Sequence, residues 1–474
     1  MSLCLGGVLG LNGSGCRAIV GIESRSEAVD ADPEDAGVDA LFDADASLDA
    51  ASDVDADCDA DTEADTGCPP CDAGVEAEAA AASVCTTLPE KHLFDYPDSG
   101  LPPLGPALSG PRMDRLDGTW SMVWVGANHK ELTQVAIDDI SDHRHDPLVP
   151  ASPGATYTDP MIAAGDDRMI LGVSRSMTNG DNAVDIYTFD PLTGTILEGP
   201  VLIYADLIKN PLVVSGIAVA PNKNRFLTVT REAVSGGVVG PVSVQLFQAN
   251  PLAPLTERAV LDENHLGQVE AYHAAVAWSE AAQRFGVAYF DTQSVPHGWL
   301  ALFDLQLQQT VYEVTTGLLW PLVDGSPFEP SVTAMGDDFV VAWLDRFDAP
   351  LNEYPEDNLD VYAVSIDAAS GTVSPPGGVK VSDVPSARRF VKVVNDGASY
   401  LVAWLDEDKF DYAIRAQRLD ADLQPRGELI EVGETDEAFQ GPFGAAAAAE
   451  RDYGFASIGA GSDLYFNRIV CIDP

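Results

Sequence analysis

The chain has 474 residues, of which 46% are hydrophobic and 21% charged, and its formal net charge is -49. That apolar content is enough for a sizeable core. The acidity repels phosphate backbones and anionic lipid, which excludes nucleic-acid binding and leaves cations, neutral glycans or basic partners as the electrostatically permitted ligands.

Residues 1–29 open with MSLCLGGVLGLNGSG, a small-residue and apolar stretch too short to span a bilayer. The box GSGC at Gly13–Cys16 resembles the end of a bacterial lipoprotein signal, in which small residues precede a cysteine that becomes acylated. CRAIVGIESR similarly resembles the start of such mature lipoproteins, although Gly13 stands where that family usually has Leu and no basic segment comes before it. The resemblance implies export, lipid attachment at Cys16, and contact with a membrane only through that anchor. An ordinary signal peptide or a fortuitous apolar start is the alternative.

Residues 30–84 change composition abruptly. From Asp30 to Ala82, Asp and Ala nearly alternate without one Lys or Arg. Like-charge repulsion and a shortage of large apolar side chains predict a disordered acidic spacer. The run Asp53, Asp55, Asp57, Asp59, Asp61 superficially resembles a calcium loop, but the turn glycine and the closing bidentate glutamate are missing. Cys58, Cys68, Cys71 and Cys85 lie in or beside this segment and Cys471 lies near the other end, while Thr86–Val470 holds no cysteine. That distribution fits an oxidising compartment. Cys68–Cys71 has C-x-x-C spacing without the βαβ context of a redox motif or the second pair of a zinc site, which favours local disulfides. Cys85 and Cys471, at the two ends of an otherwise cysteine-free domain, are the predicted disulfide pair.

Residues 85–474 repeat one phrase seven times. WSMVW (Trp120–Trp124), MILGV (Met169–Val173), FLTVT (Phe226–Thr230), FGVAY (Phe285–Tyr289), FVVAW (Phe339–Trp343), YLVAW (Tyr400–Trp404) and YGFAS (Tyr453–Ser457) recur at a spacing of roughly fifty to sixty residues. Most follow a turn rich in Asp, Asn or Gly and an earlier apolar run; third and fourth runs such as DVYAVSID and GGVKVS come after. Four short strands at that period predict an all-β, seven-bladed β-propeller. The phrase FVVAWLD followed by LDVYAVSIDAASG resembles the propeller repeats of exported bacterial surface proteins. Small residues at its fourth position are expected where sheets pack closely, and Trp124, Tyr289, Trp343 and Trp404 are expected to fill the wedges between blades. The last repeat stops at VCIDP, one strand short, so the segment around Thr86–Phe94 is expected to supply the missing strand and close the ring.

Ligands of such a fold enter through loops on one face or through the axial channel. Two residues past the phrase's closing aromatic stand Asp291, Asp345 and Asp406, and the loops after them add Asp348 and Asp408. Asp345, Asp348, Asp406 and Asp408 are candidate Ca²⁺ ligands on one face, with solvated turn-forming acids as the competing reading. DHRHDP at Asp142–Pro147 reads as a polar connection between blades, though two histidines at alternate positions also suit a metal. No phosphate loop, nucleophile elbow or sialidase-type box is present, so no catalytic residue is named. The sequence therefore points to a surface-anchored or secreted non-catalytic propeller that binds a glycan, protein or cation outside the cytoplasm. The setting is the outer membrane, the cell surface, the periplasm or the medium. An exported glycoside hydrolase or lyase is the alternative.

Overall fold

The computed structural model describes residues 84–94 and 110–472, apart from 127, 128, 131, 139–141, 150–152, 179 and the connecting segments 205–210, 233–239, 262–269, 292–297, 315–329, 346–358, 383–386, 409–410, 436–442, 449–450 and 459–463. The lipid-attachment residue Cys16, the acidic spacer and Cys58, Cys68 and Cys71 lie outside the described residues.

Every described element is a strand. β1 (Val84–Thr87) and β2 (Lys91–Phe94) come first. Blade one is β3 (Arg112–Leu116), β4 (Thr119–Val125), β5 (Leu132–Ile137) and β6 (Asp142–Val149); blade two is β7 (Ala155–Ala164), β8 (Met169–Met177), β9 (Asn182–Phe189) and β10 (Ile196–Tyr204). Blade three is β11 (Leu212–Ala220), β12 (Arg225–Glu232) and β13 (Gly240–Ala249), its outer edge made by two short pieces, β14 (Leu252–Pro254) and β15 (Ala259–Val260). Blade four is β16 (Glu270–Ser279), β17 (Arg284–Asp291), β18 (Gly298–Phe303) and β19 (Gln309–Glu313). Blade five is β20 (Ser331–Met335), β21 (Asp338–Asp345), β22 (Asp360–Asp367) and β23 (Val373–Lys380). Blade six is β24 (Ala387–Asn395), β25 (Tyr400–Asp408), β26 (Asp411–Leu419) and β27 (Pro425–Thr435). Blade seven takes β28 (Gly444–Ala448), β29 (Asp452–Ile458) and β30 (Leu464–Ile472) from the end of the chain.

The expected closure is present. β1 and β2 both pair antiparallel with β30, so the start of the domain completes the last blade. Cys85 stands opposite Cys471 in that ladder, and the two form a disulfide across 386 residues of chain. The Glu90 carboxylate accepts from Asn467 Nδ2 at 3.0 Å, and Leu88 N–H donates to the Arg468 carbonyl at 2.8 Å. The first strands touch in cyclic order: β3 on β7, β7 on β11, β11 on β16, β16 on β20, β20 on β24, β24 on β28, and β28 back on β3. That circuit is the closed ring of a seven-bladed propeller.

Each blade is too thin to bury its own faces, so the core is divided into seven wedges, one between each neighbouring pair. Trp343 fills the wedge between blades four and five, Trp404 the next, Trp124 that between seven and one, and Tyr289 that between three and four. Packing is tight at the second residue of the phrase in blades four and seven. A Cβ on Gly286 would lie 2.5 Å from Phe339 of blade five, and one on Gly454 would lie 2.7 Å from Trp120 of blade one. The hairpin from β3 to β4 turns on Asp117 and Gly118, at φ of 49° and 84°, the paired left-handed geometry that an Asp-Gly two-residue turn supplies.

One expectation fails. DHRHDP is not a connection: Asp142–Val149 is the outer strand of blade one, paired with β5. A rim strand has one hydrogen-bonding edge and little core to face, so a polar sequence suits it.

Candidate functional site

The register of the seven blades defines a level within the molecule. The fourth residues of the phrase are Val123, Gly172, Val229, Ala288, Ala342, Ala403 and Ala456. Facing them on the first strands are Arg112, Met161, Gly216, Ala275, Ser331, Lys392 and Gly444, one from each blade. All seven line an axial channel of ≈ 450 Å³. Five are small or uncharged and two are cations, so in a strongly acidic chain the channel carries basic groups at one level.

The surroundings of the two cations differ. Lys392 has partners of its own. The Nε and Nη1 of Arg112 are shielded from water and have no hydrogen-bond partner. A guanidinium stays charged at any physiological pH, and an unsatisfied charged donor costs more than a neutral one, of order 1–3 kcal/mol or above. The nearest carboxylate in the strand, Asp114, is otherwise engaged: its Oδ1 accepts from Arg115 N–H at 2.8 Å and its Oδ2 from Ala164 N–H at 2.7 Å. Asp114 keeps some surface open to the channel, yet its carboxyl is enclosed, and that burial raises its pKa above the ordinary value against the pull of the two amides.

Other polar groups on the inner strands tie blade to blade. Ser331 Oγ accepts from Val393 N–H at 2.9 Å, and Asn395 Nδ2 reaches Thr333 Oγ1 and the Ala334 carbonyl. Asp396 on blade six accepts from Tyr453 of blade seven at 2.7 Å, and Ser399 links both to the fully buried Arg418. Burial pushes the Asp396 carboxyl up, but the bonds from Tyr453, Ala398 N–H, Ser399 N–H and Ser399 Oγ outweigh it and leave the pKa below the ordinary value. These contacts hold the ring rather than a ligand.

The candidate calcium residues are only partly described. Asp348 and the side chains of Asp345 and Asp408 lie outside the described residues. Asp406 is 4% exposed and bonded to Arg415 Nη1 at 2.6 Å, so it is a buried ion-pair partner and not a solvated face carboxylate. Among the described residues no three His, Cys, Asp or Glu side chains gather as cation ligands.

The sequence reading missed Arg112 and Lys392. Their signal is visible once the first strands are aligned: PRMDRL and FVKVVN carry a charge at a position that is Met, Gly, Ala, Ser and Gly elsewhere.

No family model and no curated protein matches the chain. Solved structures do. A polysaccharide lyase described as an ulvan lyase superposes with a TM-score of 0.50 at 11% identity, covering 80% of this chain and 95% of that one. An α-L-arabinanase of Penicillium chrysogenum complexed with arabinobiose gives 0.44 at 11% identity over 82% and 98%, and TolB from Acinetobacter baumannii gives 0.36 at 13% over 71% and 67%. At these identities the likeness is to the fold alone.

Proposed function

We propose that the protein is an exported, non-catalytic binding propeller, held at a membrane by a lipid on Cys16 or released, and that its ligand is received in the axial channel. The observation that carries this reading is the axial channel itself, of small-molecule size and lined at one level by the half-buried Arg112 and by Lys392. The disulfide between Cys85 and Cys471 supports export, because such bonds persist in oxidising compartments. A glycan or a protein segment remains the ligand class, and the loops after Asp345 and Asp406 are a second place where a cation would add stability.

The test is a glycan panel offered to the full chain, with binding read by calorimetry and turnover by product release, followed by a crystal structure with the best binder. Binding without turnover and density inside the channel support the reading. Cleavage of a bound glycan would replace it with the hydrolase or lyase alternative, and density on the outer loops would move the site.

A further inference from the structure

We infer that the Cys85–Cys471 disulfide is a mechanical clamp, which carries tension from the N-terminal tether past the edge of the propeller and into an inner strand of blade seven. The inference rests on the anchored form of the proposal above, in which the membrane and a bound ligand pull on the protein from opposite sides.

Residues 1–83 join the propeller at Val84, the first residue of β1. A pull on the tether therefore falls first on β1, and that strand by itself would yield easily. It is four residues long, lies at the outer edge of its sheet and pairs with β30 alone. Val84 is 62% exposed and Thr86 is exposed too, so little apolar packing backs the ladder. An edge strand pulled from one end opens pair by pair, each step breaking hydrogen bonds worth only about 0.5–1.5 kcal/mol.

The cross-link stands at the second pair of that ladder, one residue in from the loaded end. It intercepts the pull before the rest of β1 can open. Cys471, at its other end, is 3% exposed, packs in the wedge between blades six and seven and donates its N–H to the Arg451 carbonyl at 3.0 Å. Its strand, β30, is held by β29 in an unbroken register from Leu464 opposite Ile458 to Val470 opposite Asp452. Asp452, at the loaded end of that register, accepts from Arg468 Nε and Nη2 at 2.6 and 2.7 Å and lies 3.7 Å from Arg115 of blade one. Tension entering at Cys471 is thus shared among blades six, seven and one instead of resting on a four-residue edge. A cross-link that only closed the ring could equally join Thr87 to Ile469, at the inner end of the ladder. One at the loaded end also protects the pairs behind it.

The test is single-molecule pulling of the full chain, with one handle on the N-terminus and the other on an azide-bearing residue placed at the exposed Val260 of blade three. The oxidised protein should open without an early step. The variant Cys85→Ser with Cys471→Ser, which leaves the spacer cysteines untouched, should first release the strap from Val84 to Pro111, about 90–100 Å of extended chain, at a lower force. If that variant does not fold, wild type reduced after folding gives the same comparison. A second geometry, with handles at the exposed Leu192 and Val260, keeps the load off blade seven, and there protein with and without the cross-link should open alike. No difference on pulling from the N-terminus, or an equal loss of opening force in both geometries, would overturn the inference; the latter would make the disulfide a stabiliser of the fold alone. The anchor is read separately. Cys16 found without lipid by mass spectrometry of the membrane fraction would overturn the membrane as the source of tension, whatever the pulling traces show.

Discussion

Arg175 in blade two and Asp406 in blade six hold the same place, the seventh residue counted from the start of the phrase, and each bonds to the opposite charge on the next strand. Arg175 Nε donates to Asp185 at 2.9 Å and Arg415 Nη1 donates to Asp406 at 2.6 Å. Asp185 and Arg415 in turn both face the fifth residue of the phrase, Val173 and Trp404. The two blades have the same ion pair with its charges exchanged. In these two blades the position takes a paired charge of either sign, whereas blades one and seven have Gly126 and Gly459 there.

That exchange predicts a rescue. Asp406→Ala leaves Arg415 without its partner beside a buried strand end and is expected to cost about 3 kcal/mol. The double variant Asp406→Arg with Arg415→Asp copies blade two and should recover most of the loss. Chemical denaturation of the two variants checks this; a double variant no more stable than the single one would show that the sign matters after all.

The same pair narrows the calcium expectation to the loop acids Asp345, Asp348 and Asp408, since Asp406 is already neutralised. If those residues gather a calcium ion, millimolar calcium should raise the melting temperature and chelator should reverse the rise. Identical melting curves in both conditions would leave them as solvated acids.

How much of this was legible follows from what each element needs. The phrase could be read because its aromatic and apolar positions fill the wedges, and wedge filling leaves a strong apolar pattern. The closure by β1 and β2 could be read because blade seven lacked a strand. Arg112 and Lys392 lie 280 residues apart (392 − 112) and share a level only once the ring and its register exist. The bond of Asp406 to Arg415 was hidden for a similar reason: the partner is on the following strand, and a carboxylate at a strand end looks the same whether paired or solvated. The rim strand at Asp142–Val149 reads as a connection because it has little core to face and so no apolar pattern to show.

The closure predicts a stability difference. Cys471→Ser removes a cross-link spanning 386 residues and is expected to lower stability by about 2–5 kcal/mol, and Cys85→Ser should match it. Adding reductant to the wild type should reproduce the loss, whereas adding it to either variant should change nothing further. Wild type and variants of equal stability would mean that the strand pairing alone closes the ring.

The link between blades six and seven predicts a pH dependence. The pKa of Asp396 is depressed in the folded state, so its contribution is present above the ordinary value of 3.8 and is lost as pH falls through the lower folded value. Tyr453→Phe removes the largest bond that holds the pKa down and should cost about 1–3 kcal/mol at pH 7. The gap between the variant and the wild type should shrink below pH 3.8. A gap that stays constant into that range would assign the loss to packing instead.

Arg112 is expected to oppose stability in the absence of ligand. Replacing it by Met removes two shielded and unsatisfied donors while retaining an apolar side chain, as blade two already has at this level with Met161. Arg112→Met should therefore melt at or above the wild-type temperature. A clear fall in melting temperature would assign the guanidinium a structural role in the ring.

The most direct measurement of the channel's role is a crystal structure of the full chain grown with the tightest binder from the glycan panel. The account predicts density for the ligand in the axial channel, at the level lined by Arg112 and Lys392. Density confined to the outer loops, with Arg112 turned to a partner within its own chain, would contradict it.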